Sequence, residues 1–182
     1  MEKLRIEGER IFLRPITVSD VDGPYYGWMN DNEVTRFLEA RFSKNDKASM
    51  KKFVQDALIN KDVVFLAIVL KDGDRHIGNI KLGPINRQHG YGEVGILIGE
   101  KACWGKGYAT EALKLLSDYA FGKLKLHKIT AGCYAGNVGS AKAFLAAGFV
   151  QEGVRKSQYL CDGKYVDALI FGKVNPVSRD RG

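Results

Sequence analysis

The stretch CWGKGYATEALKLL, residues 103–116, places two glycines and a lysine directly before a strongly helical pattern. Glycine is unfavourable at a helix start unless the backbone needs room or an unusual dihedral angle. The first N–H groups of a helix lack intrahelical partners and lie at the positive end of the helix dipole. Gly105 and Gly107 let a ligand approach without a Cβ in the way, and Lys106 adds a positive charge. This pattern predicts a phosphate-binding loop.

Two common phosphate motifs do not describe this loop. No GxxxxGK[ST] string of the Walker A type occurs in the sequence. The dinucleotide fingerprint GxGxxG fails at its third glycine, where Thr110 stands, and no acidic ribose ligand follows at the expected distance. By its motif alone the loop also fits a simple tight turn, so the surrounding elements decide its interpretation.

The first half of the chain combines helices with a run of strands. LRIEGERIFLRP predicts a bent strand or hairpin that ends at Pro15, and TVSD then opens a helix in capping-box style, with Thr17 and Asp20. An amphipathic basic helix is predicted over roughly residues 43–60. Three strands follow, with the sequences VVFLAIVL, HIGNIKL and YGEVGILIG.

The second half alternates helices and strands. A helix is predicted from about Gly107 to Phe121, followed by the strand HKITAGCY. A short helix starts near Asn137 and ends at Gly148, a residue type favoured just beyond a helix C-terminus. The chain finishes as a hairpin around CDGK. No linker or repeat interrupts residues 1–182, which are therefore expected to form one α/β sandwich domain with a mixed sheet.

With its flanking elements, the loop resembles that of the GNAT superfamily of acetyl-CoA-dependent N-acetyltransferases. A Q/R-x-x-G-x-G/A loop binds the coenzyme A pyrophosphate in that family, and residues 104–109 fill its six positions, with Trp104 in place of Gln or Arg. The resemblance implies a three-layer α/β/α sandwich whose central mixed, mostly antiparallel sheet is splayed between its fourth and fifth strands, YGEVGILIG and HKITAGCY. The implied cofactor-binding residues of the loop are Trp104, Gly105, Lys106, Gly107, Tyr108, Ala109 and Thr110.

A second matching element is NVGSAKAFLAAGF. By resemblance, Asn137 hydrogen-bonds the pantetheine arm, although Asn is also a good helix N-cap. Many family members carry a tyrosine acid seven residues later, where this chain has Phe144. Ser140 is the predicted replacement, donating a stabilising hydrogen bond to the departing thiolate. First-turn backbone bonding is the alternative for this serine.

The glycine-containing strand YGEVGILIG carries the third part of the expected site. Glycines inside a strand often mark a bulge or a close backbone approach. The resemblance implies that this strand pairs with pantetheine around Ile96, Leu97 and Ile98, and one of its amides is expected to polarise the thioester carbonyl. Glu93, on the same strand, is the predicted base for the attacking amine, directly or through a water. An exposed glutamate in a salt bridge is the alternative.

The acceptor side is predicted from aromatic residues in the early helices and from one loop. The resemblance implies that the early helices form one wall of the acceptor cleft, with Trp28, Met29 and Phe37 in it, and core packing is the alternative. His89 lies in the loop INRQHGYG and is expected to contact the acceptor. Asp167, flanked by apolar strand residues, is a further polar candidate. No two histidines have metal-ligand spacing, so no metal is expected.

Three functions are compatible with these patterns. The first is a small-molecule N-acetyltransferase that uses acetyl-CoA in a ternary complex, with a nucleotide-linked amino sugar favoured because the chain also resembles enzymes of that kind. The second is an N-terminal acetyltransferase, because the aromatic-Gly-x-Gly-Tyr-Ala string resembles the ribosomal-protein branch. The third is a non-catalytic acyl-CoA-binding module, which the intact loop, Asn137 and Ser140 argue against.

Composition limits the cellular setting and the partners. The chain has 28 basic and 21 acidic residues, a net charge of +7, which suits an anionic ligand better than a polyamine. The basic helix lacks interleaved aromatics, so nucleic acid is not the expected partner. Three widely spaced cysteines, Cys103, Cys133 and Cys161, favour a reducing compartment. We therefore expect a cytoplasmic enzyme without membrane contact that acts on a small-molecule or peptide amine, with a homodimer left open.

Overall fold

The computed structural model describes residues 4–177, in which eight strands form one sheet. The strands are β1 (Ile6–Glu7), β2 (Ile11–Pro15), β3 (Val64–Leu70), β4 (His76–Asn86), β5 (Tyr91–Ile98), β6 (Lys128–Tyr134), β7 (Val150–Cys161) and β8 (Lys164–Val174). The α-helices are α1 (Pro24–Met29), α2 (Asn32–Thr35), α3 (Lys47–Ile59), α4 (Tyr108–Gly122) and α5 (Val138–Ala146). Short 3-10 turns occupy Val18–Asp22, Glu39–Phe42, Asp72–Asp74 and Lys101–Cys103.

The sheet is mixed and mostly antiparallel, as the sequence predicted. Its strand order is β1-β2-β3-β4-β5-β6-β8-β7, and β5 and β6 form its parallel pair. The helix α4 connects these two strands, as a parallel crossover requires. Their pairing runs only from Tyr91 opposite Lys128 to Val94 opposite Ala131. Beyond Val94 the two strands diverge, which is the predicted splay between YGEVGILIG and HKITAGCY.

Helices cover both faces of the sheet and complete the three layers. On one face, α4 and α5 pack against the central strands through Leu113, Leu116 and Phe144. On the other face, the segment containing α1 to α3 forms a second core with Trp28 and Val54. Because strand side chains alternate between faces, β3 contributes Leu66 and Ile68 to the first core and Phe65 to the second. No helix in residues 4–177 combines the length and apolarity needed to cross a bilayer.

Most predicted boundaries agree with the structure, and the differences have local causes. LRIEGERIFLRP forms a hairpin of two strands and not one bent strand, since residues 8–10 turn back between β1 and β2. The helix predicted from residue 43 begins at Lys47, because Asp46 is its N-cap and accepts from the backbone N–H of Ser49 at 2.8 Å. TVSD opens only a short 3-10 turn. Asp162 and Gly163, both at positive φ, form the turn predicted at CDGK.

A buried polar cluster fixes the N-terminal segment to the sheet. The guanidinium of Arg14 binds both carboxylate oxygens of Asp20 at 2.7 and 2.8 Å. Burial alone would raise the pKa of Asp20, but Arg14 and the N–H and hydroxyl of Thr17 lower it to about 2. His76 lies beside Asp20, bonded to Asn79, and burial lowers the pKa of its imidazole. This cluster is structural in character.

We expect Asp20→Asn to lower the free energy of unfolding at pH 7 by about 2 kcal/mol, the value that corresponds to a carboxyl pKa lowered to about 2. Because the folded pKa lies below the unfolded one, this stabilisation is present above about pH 4 and is lost as the pH falls towards 2. Urea unfolding at pH 7, 4 and 2.5 measures it. Asp56→Asn, which removes an exposed pair with Lys52, is the matched control. A difference between wild type and Asp20→Asn that stays constant down to pH 2.5 would contradict the assignment.

Candidate active site

The glycine loop has the conformation that an anion-binding loop needs. Gly105 and Gly107 have φ angles of +70° and +82°, which L side chains rarely adopt. Gly107 is the residue that caps α4, and the space around the Cβ position of Gly105 is open. Within residues 4–177, no group accepts a hydrogen bond from the backbone N–H groups of residues 105–110. The loop therefore presents donors at the positive end of a fifteen-residue helix.

Trp104 connects this loop to the end of β5. Its side chain is 40% exposed, and its indole N–H donates to the carbonyl of Ile98 at 2.7 Å. Lys106, in contrast, is exposed in the loop itself, and Tyr108, Ala109 and Thr110 form the first turn of α4. Trp104, which stands where the family pattern has Gln or Arg, therefore holds the glycine loop against the end of β5.

The diverging half of β5 offers backbone groups to the gap. The N–H of Gly99 donates to Ile77 on β4 at 2.9 Å, and bonded residues alternate along an antiparallel ladder. By this alternation, Leu97 points its backbone groups to β4, opposite Asn79, while Ile96 and Ile98 point theirs to the gap. Of the three strand residues predicted to bind pantetheine, two are therefore oriented for backbone contact. Leu97 has no backbone group facing the gap, and its side chain packs on the second core, formed by the α1 to α3 segment.

The N-terminus of α5 lies at the end of β6, on the other side of the gap. Asn137 is its N-cap, and its Oδ1 accepts from the backbone N–H of Ser140 at 3.1 Å. The side-chain amide N–H groups of Asn137 project from the same cap. Burial raises the pKa of the Cys133 thiol, and the adjacent Ser140 hydroxyl partly offsets that rise. Phe144 is buried against Phe149 and Phe171, so its position belongs to the core.

Glu93 lies on the face of the sheet that the α1 to α3 segment covers, the same face as Leu97. It pairs with Thr130 in the short stretch where β5 and β6 are bonded. Its side chain is exposed, next to Gly95, where a Cβ would meet no atom within 4 Å. Glu93 is close enough to Tyr159 for its charge to contribute to a raised phenol pKa, of which burial is the main cause. The predicted base thus faces an open cleft and not a buried pocket.

A polar and aromatic cluster that sequence patterns did not reveal stands across this cleft. The Tyr134 hydroxyl donates to the carboxylate of Glu39 and accepts from Arg41 at 3.1 Å. Arg41 also donates to the carbonyl of Leu160 at 2.6 Å. Burial and the Glu39 carboxylate raise the pKa of Tyr134 to about 12, so this hydroxyl stays protonated at neutral pH. The cluster joins the Glu39–Phe42 turn to β6 and β7, and only one clue, a tyrosine ending HKITAGCY, marks it in the sequence.

A bulge in β7 brings Tyr159 onto the same side. The register between β7 and β8 shifts between Arg155 and Tyr159, and Ser157 has a φ of +49°. Asp167 fixes this bulge, because it accepts from the backbone N–H of Ser157 at 2.9 Å and pairs with Lys156. Tyr159 then stacks on Tyr134 with ring centroids 4.2 Å apart. Bulges commonly re-aim side chains next to functional sites. Asp167 supports this site and is not a group within it.

The four predicted acceptor residues separate into three locations. Phe37 lies at the cleft, 5.7 Å from the ring of Tyr134. Trp28 and Met29 are only 7% and 8% exposed, and a Cβ at Gly99 would lie 2.0 Å from the Trp28 ring. His89 is exposed at the opposite end of β5, where it stacks on Tyr91. The structure thus brings Phe37 to the splay, uses Trp28 and Met29 in the core, and places His89 away from both.

Two cavities differ in their relation to the splay. A cavity of about 400 Å³ lies next to the Tyr134 cluster, lined by Arg36, Phe37, Gly136, Cys161, Asp162, Lys164 and Val166. A larger one of about 1340 Å³ lies near His89 and the C-terminal end of α4, away from the glycine loop. Its size alone does not make it the active site, because the unpaired backbone donors lie elsewhere. Residues 4–177 contain no cluster of three or more His, Cys, Asp or Glu side chains placed to hold a metal.

The sequence family described as "Acetyltransferase (GNAT) domain" matches residues 10–150. The chain is 31% identical over 180 residues to a probable N-acetyltransferase of Bacillus subtilis, YjcK, covering 94% of this chain and 97% of that one. The chain therefore belongs to the GNAT acetyltransferase family, and its homologues are named N-acetyltransferases.

Solved structures agree with this fold. The ribosomal-protein-S5-alanine acetyltransferase of Vibrio fischeri superposes with a TM-score of 0.82 at 24% identity, covering 97% of this chain and 100% of that one. A spermidine N-acetyltransferase of Vibrio cholerae, solved with CoA and spermine, superposes with a TM-score of 0.81 at 21% identity, covering 91% and 96%. These likenesses confirm the predicted three-layer sandwich. They leave the acceptor amine open.

We expect Tyr134→Phe to lower the free energy of unfolding by about 1–3 kcal/mol, because it removes the hydrogen bonds between a buried hydroxyl and the charged Glu39 and Arg41. The ring and its stacking are kept, so the effect isolates the hydroxyl. Equilibrium urea unfolding measures it. Tyr165→Phe, at a ring that is 72% exposed, is the control and should change stability by less than about 0.5 kcal/mol. Equal stability of both variants would show that the cluster is solvated in solution.

Proposed function

We propose that this protein transfers an acetyl group from acetyl-CoA to a primary amine by direct attack in a ternary complex. The observation that carries the proposal is the opened β5–β6 pair, with unbonded loop N–H groups at one end. Residues 104–110 would hold the pyrophosphate of coenzyme A. The backbone groups of Ile96 and Ile98 that face the gap would bond the pantetheine arm, and Asn137 would bond an amide of that arm. This donor set fits coenzyme A, an anion followed by a chain of amides.

When bound, acetyl-CoA supplies an activated acetyl thioester. The chain's own groups then have separate roles on the two faces of the sheet. Glu93 takes a proton from the incoming amine, directly or through one water, in the open cleft. A gap-facing N–H of β5 stabilises negative charge on the carbonyl oxygen. Ser140 donates a hydrogen bond to the departing sulfur, since a serine hydroxyl is too weak an acid to protonate a thiolate fully.

The acceptor that the cleft supports best is an amine that also carries an anionic group, such as a nucleotide-linked amino sugar. The cavity of about 400 Å³ beside Phe37 is within the size range of small-molecule sites. Arg36 and Lys164 line it with one carboxylate, Asp162, which is paired to Arg36 at 2.7 Å. Arg155 lies near Tyr159, where it adds a further positive charge. A polyamine would meet these cations unfavourably.

The proposal is tested by measuring thiol release from acetyl-CoA with three classes of acceptor: nucleotide-linked amino sugars, peptides with a free N-terminus, and spermidine. Turnover with the amino sugars supports the proposed acceptor. Turnover with the peptides alone would assign the protein to the N-terminal acetyltransferases, and turnover with spermidine alone would overturn the charge argument. Binding of acetyl-CoA without turnover by any acceptor class would favour a non-catalytic acyl-CoA-binding module.

We expect Gly107→Trp to abolish coenzyme A binding, because a large side chain at φ +82° would occupy the space in front of the loop amides. Isothermal titration with CoA measures this loss. Gly163→Trp is the matched control, since Gly163 has a φ of +76° in the β7–β8 turn, where a Cβ would meet no atom within 4 Å. Unchanged CoA affinity in Gly107→Trp, with an intact fold, would rule out the loop as the pyrophosphate site.

We expect Glu93→Gln to lower kcat by about 10²- to 10⁴-fold, the usual contribution of a general base, and to leave the Kd of acetyl-CoA unchanged. Steady-state rates at saturating acetyl-CoA and isothermal titration with acetyl-CoA provide the comparison. A variant whose kcat matches the wild type would remove Glu93 from proton transfer.

A further inference from the structure

Arg10, in the turn between β1 and β2, contacts the glycine loop through several groups at once. Its Nη1 donates to the carbonyl of Lys106, the residue between the two loop glycines, at 2.9 Å. Its guanidinium lies over the ring of Tyr108, 4.6 Å from the centroid. Its Nη2 lies 3.4 Å from the position that a Cβ would take on Gly107. The N-terminal hairpin therefore contacts the loop from residue 106 to the first helical residue.

Glu111 completes this contact from the first turn of α4. One carboxylate oxygen accepts from the backbone N–H groups of Arg10 and Ile11 at 2.8 and 3.2 Å, and the other accepts from Arg10 Nε at 3.0 Å. The Glu111 side chain is only 14% exposed. Gly8 makes room for it, because a Cβ there would lie 2.7 Å from the carboxylate. The Glu111 side chain therefore packs into the turn formed by residues 8–10.

The charge of Glu111 creates an electrostatic problem for an anion-binding loop. Burial raises the pKa of this carboxyl, but the hydrogen bonds from Arg10 and Ile11 lower it overall, so the group is ionised at neutral pH. An ionised carboxylate in the first helical turn occupies the positive end of the helix dipole, where a phosphate would also bind. Left alone, the carboxylate would repel that phosphate. Arg10 places a compensating positive charge between the carboxylate and the loop.

We propose that Arg10 is a positioning residue of the cofactor site, which holds Lys106 in the loop and neutralises Glu111 so that the α4 N-terminus can accept a phosphorylated ligand. This inference rests on the proposed coenzyme A site. It extends that site to the N-terminal hairpin, about a hundred residues away in sequence. Arg10 and Glu111 then act as a unit, and the loss of one partner is worse than the loss of both.

The test is a double-mutant cycle on ligand affinity with Arg10→Met, Glu111→Gln and the double variant. Isothermal titration gives the Kd of coenzyme A, and NMR titration gives that of pantetheine, which lacks the pyrophosphate. Arg5→Met is the matched control, because Arg5 forms an exposed pair with Glu7 in the same hairpin and does not touch the loop. Urea unfolding of each variant records its stability separately.

We expect Arg10→Met to weaken coenzyme A binding by about tenfold and to leave pantetheine binding unchanged. Only the phosphates of coenzyme A would lie near the Glu111 carboxylate, whose charge Arg10 no longer neutralises. Adding Glu111→Gln should recover part of that loss, because the repelling carboxylate is gone. Arg5→Met should bind as wild type does. A purely structural role for Arg10 would give equal losses for both ligands and no recovery in the double variant.

The inference is overturned if Arg10→Met keeps wild-type affinity for coenzyme A, or if the double variant binds no better than Arg10→Met. Either result would leave the proposed function intact, because the wild-type protein would still bind the cofactor. Absence of coenzyme A binding by the wild type would instead remove the proposed function, and this inference with it.

Discussion

The interruption of the β5–β6 ladder after Val94 is the constraint on which the rest of the site depends. Backbone N–H and C=O groups in a protein interior require partners, and the opened ladder leaves those of Ile96 and the N–H of Ile98 without a neighbouring strand, while Trp104 bonds the Ile98 carbonyl. A ligand with its own amides can occupy such a gap as a strand would. The glycine loop lies at one end of β5, the N-terminus of α5 lies across the gap, and Glu93 is next to Val94, the last paired residue of β5. Each of these positions is set by where the two strands separate.

The two sides of the gap are built in different ways. The proposed cofactor side relies on short segments of sequence, the backbone donors of residues 105–110 and the helix cap at Asn137. The proposed acceptor side relies on side chains from distant segments, because Glu39 and Arg41 both bond Tyr134 on β6, and Arg41 also bonds the carbonyl of Leu160 on β7. A backbone site tolerates many side chains and binds one cofactor throughout a family. A side-chain site changes with each substitution, which is where acceptor choice is expected to reside.

The N-terminal segment contributes rigidity as well as surface. Trp28 packs on Gly99 and lies edge-on to His76, at a ring distance of 5.0 Å, above the cluster of Arg14 and Asp20. These contacts fix the early helices against β4 and β5, so the Glu39–Phe42 turn reaches the cleft from a stable base. Trp28, which the resemblance suggested for acceptor contact, is therefore used in packing. Phe37 lies further along the segment and reaches the cleft.

The sequence determined what depends on local chemistry: the order of the elements, the glycine loop before α4, the cap at Asn137, and the turn at CDGK. These features follow from dihedral preferences and hydrophobic periods within a few residues, which a chain carries wherever it folds. Only the tertiary structure decided which distant side chains meet. Hydrophobic pattern cannot distinguish a core tryptophan from a cleft tryptophan, so Trp28 and Phe37 were indistinguishable beforehand. The pairing of Arg10 with Glu111, and of Tyr134 with Glu39, exists because the sheet brings their strands and helices together, and no spacing along the chain encodes that proximity.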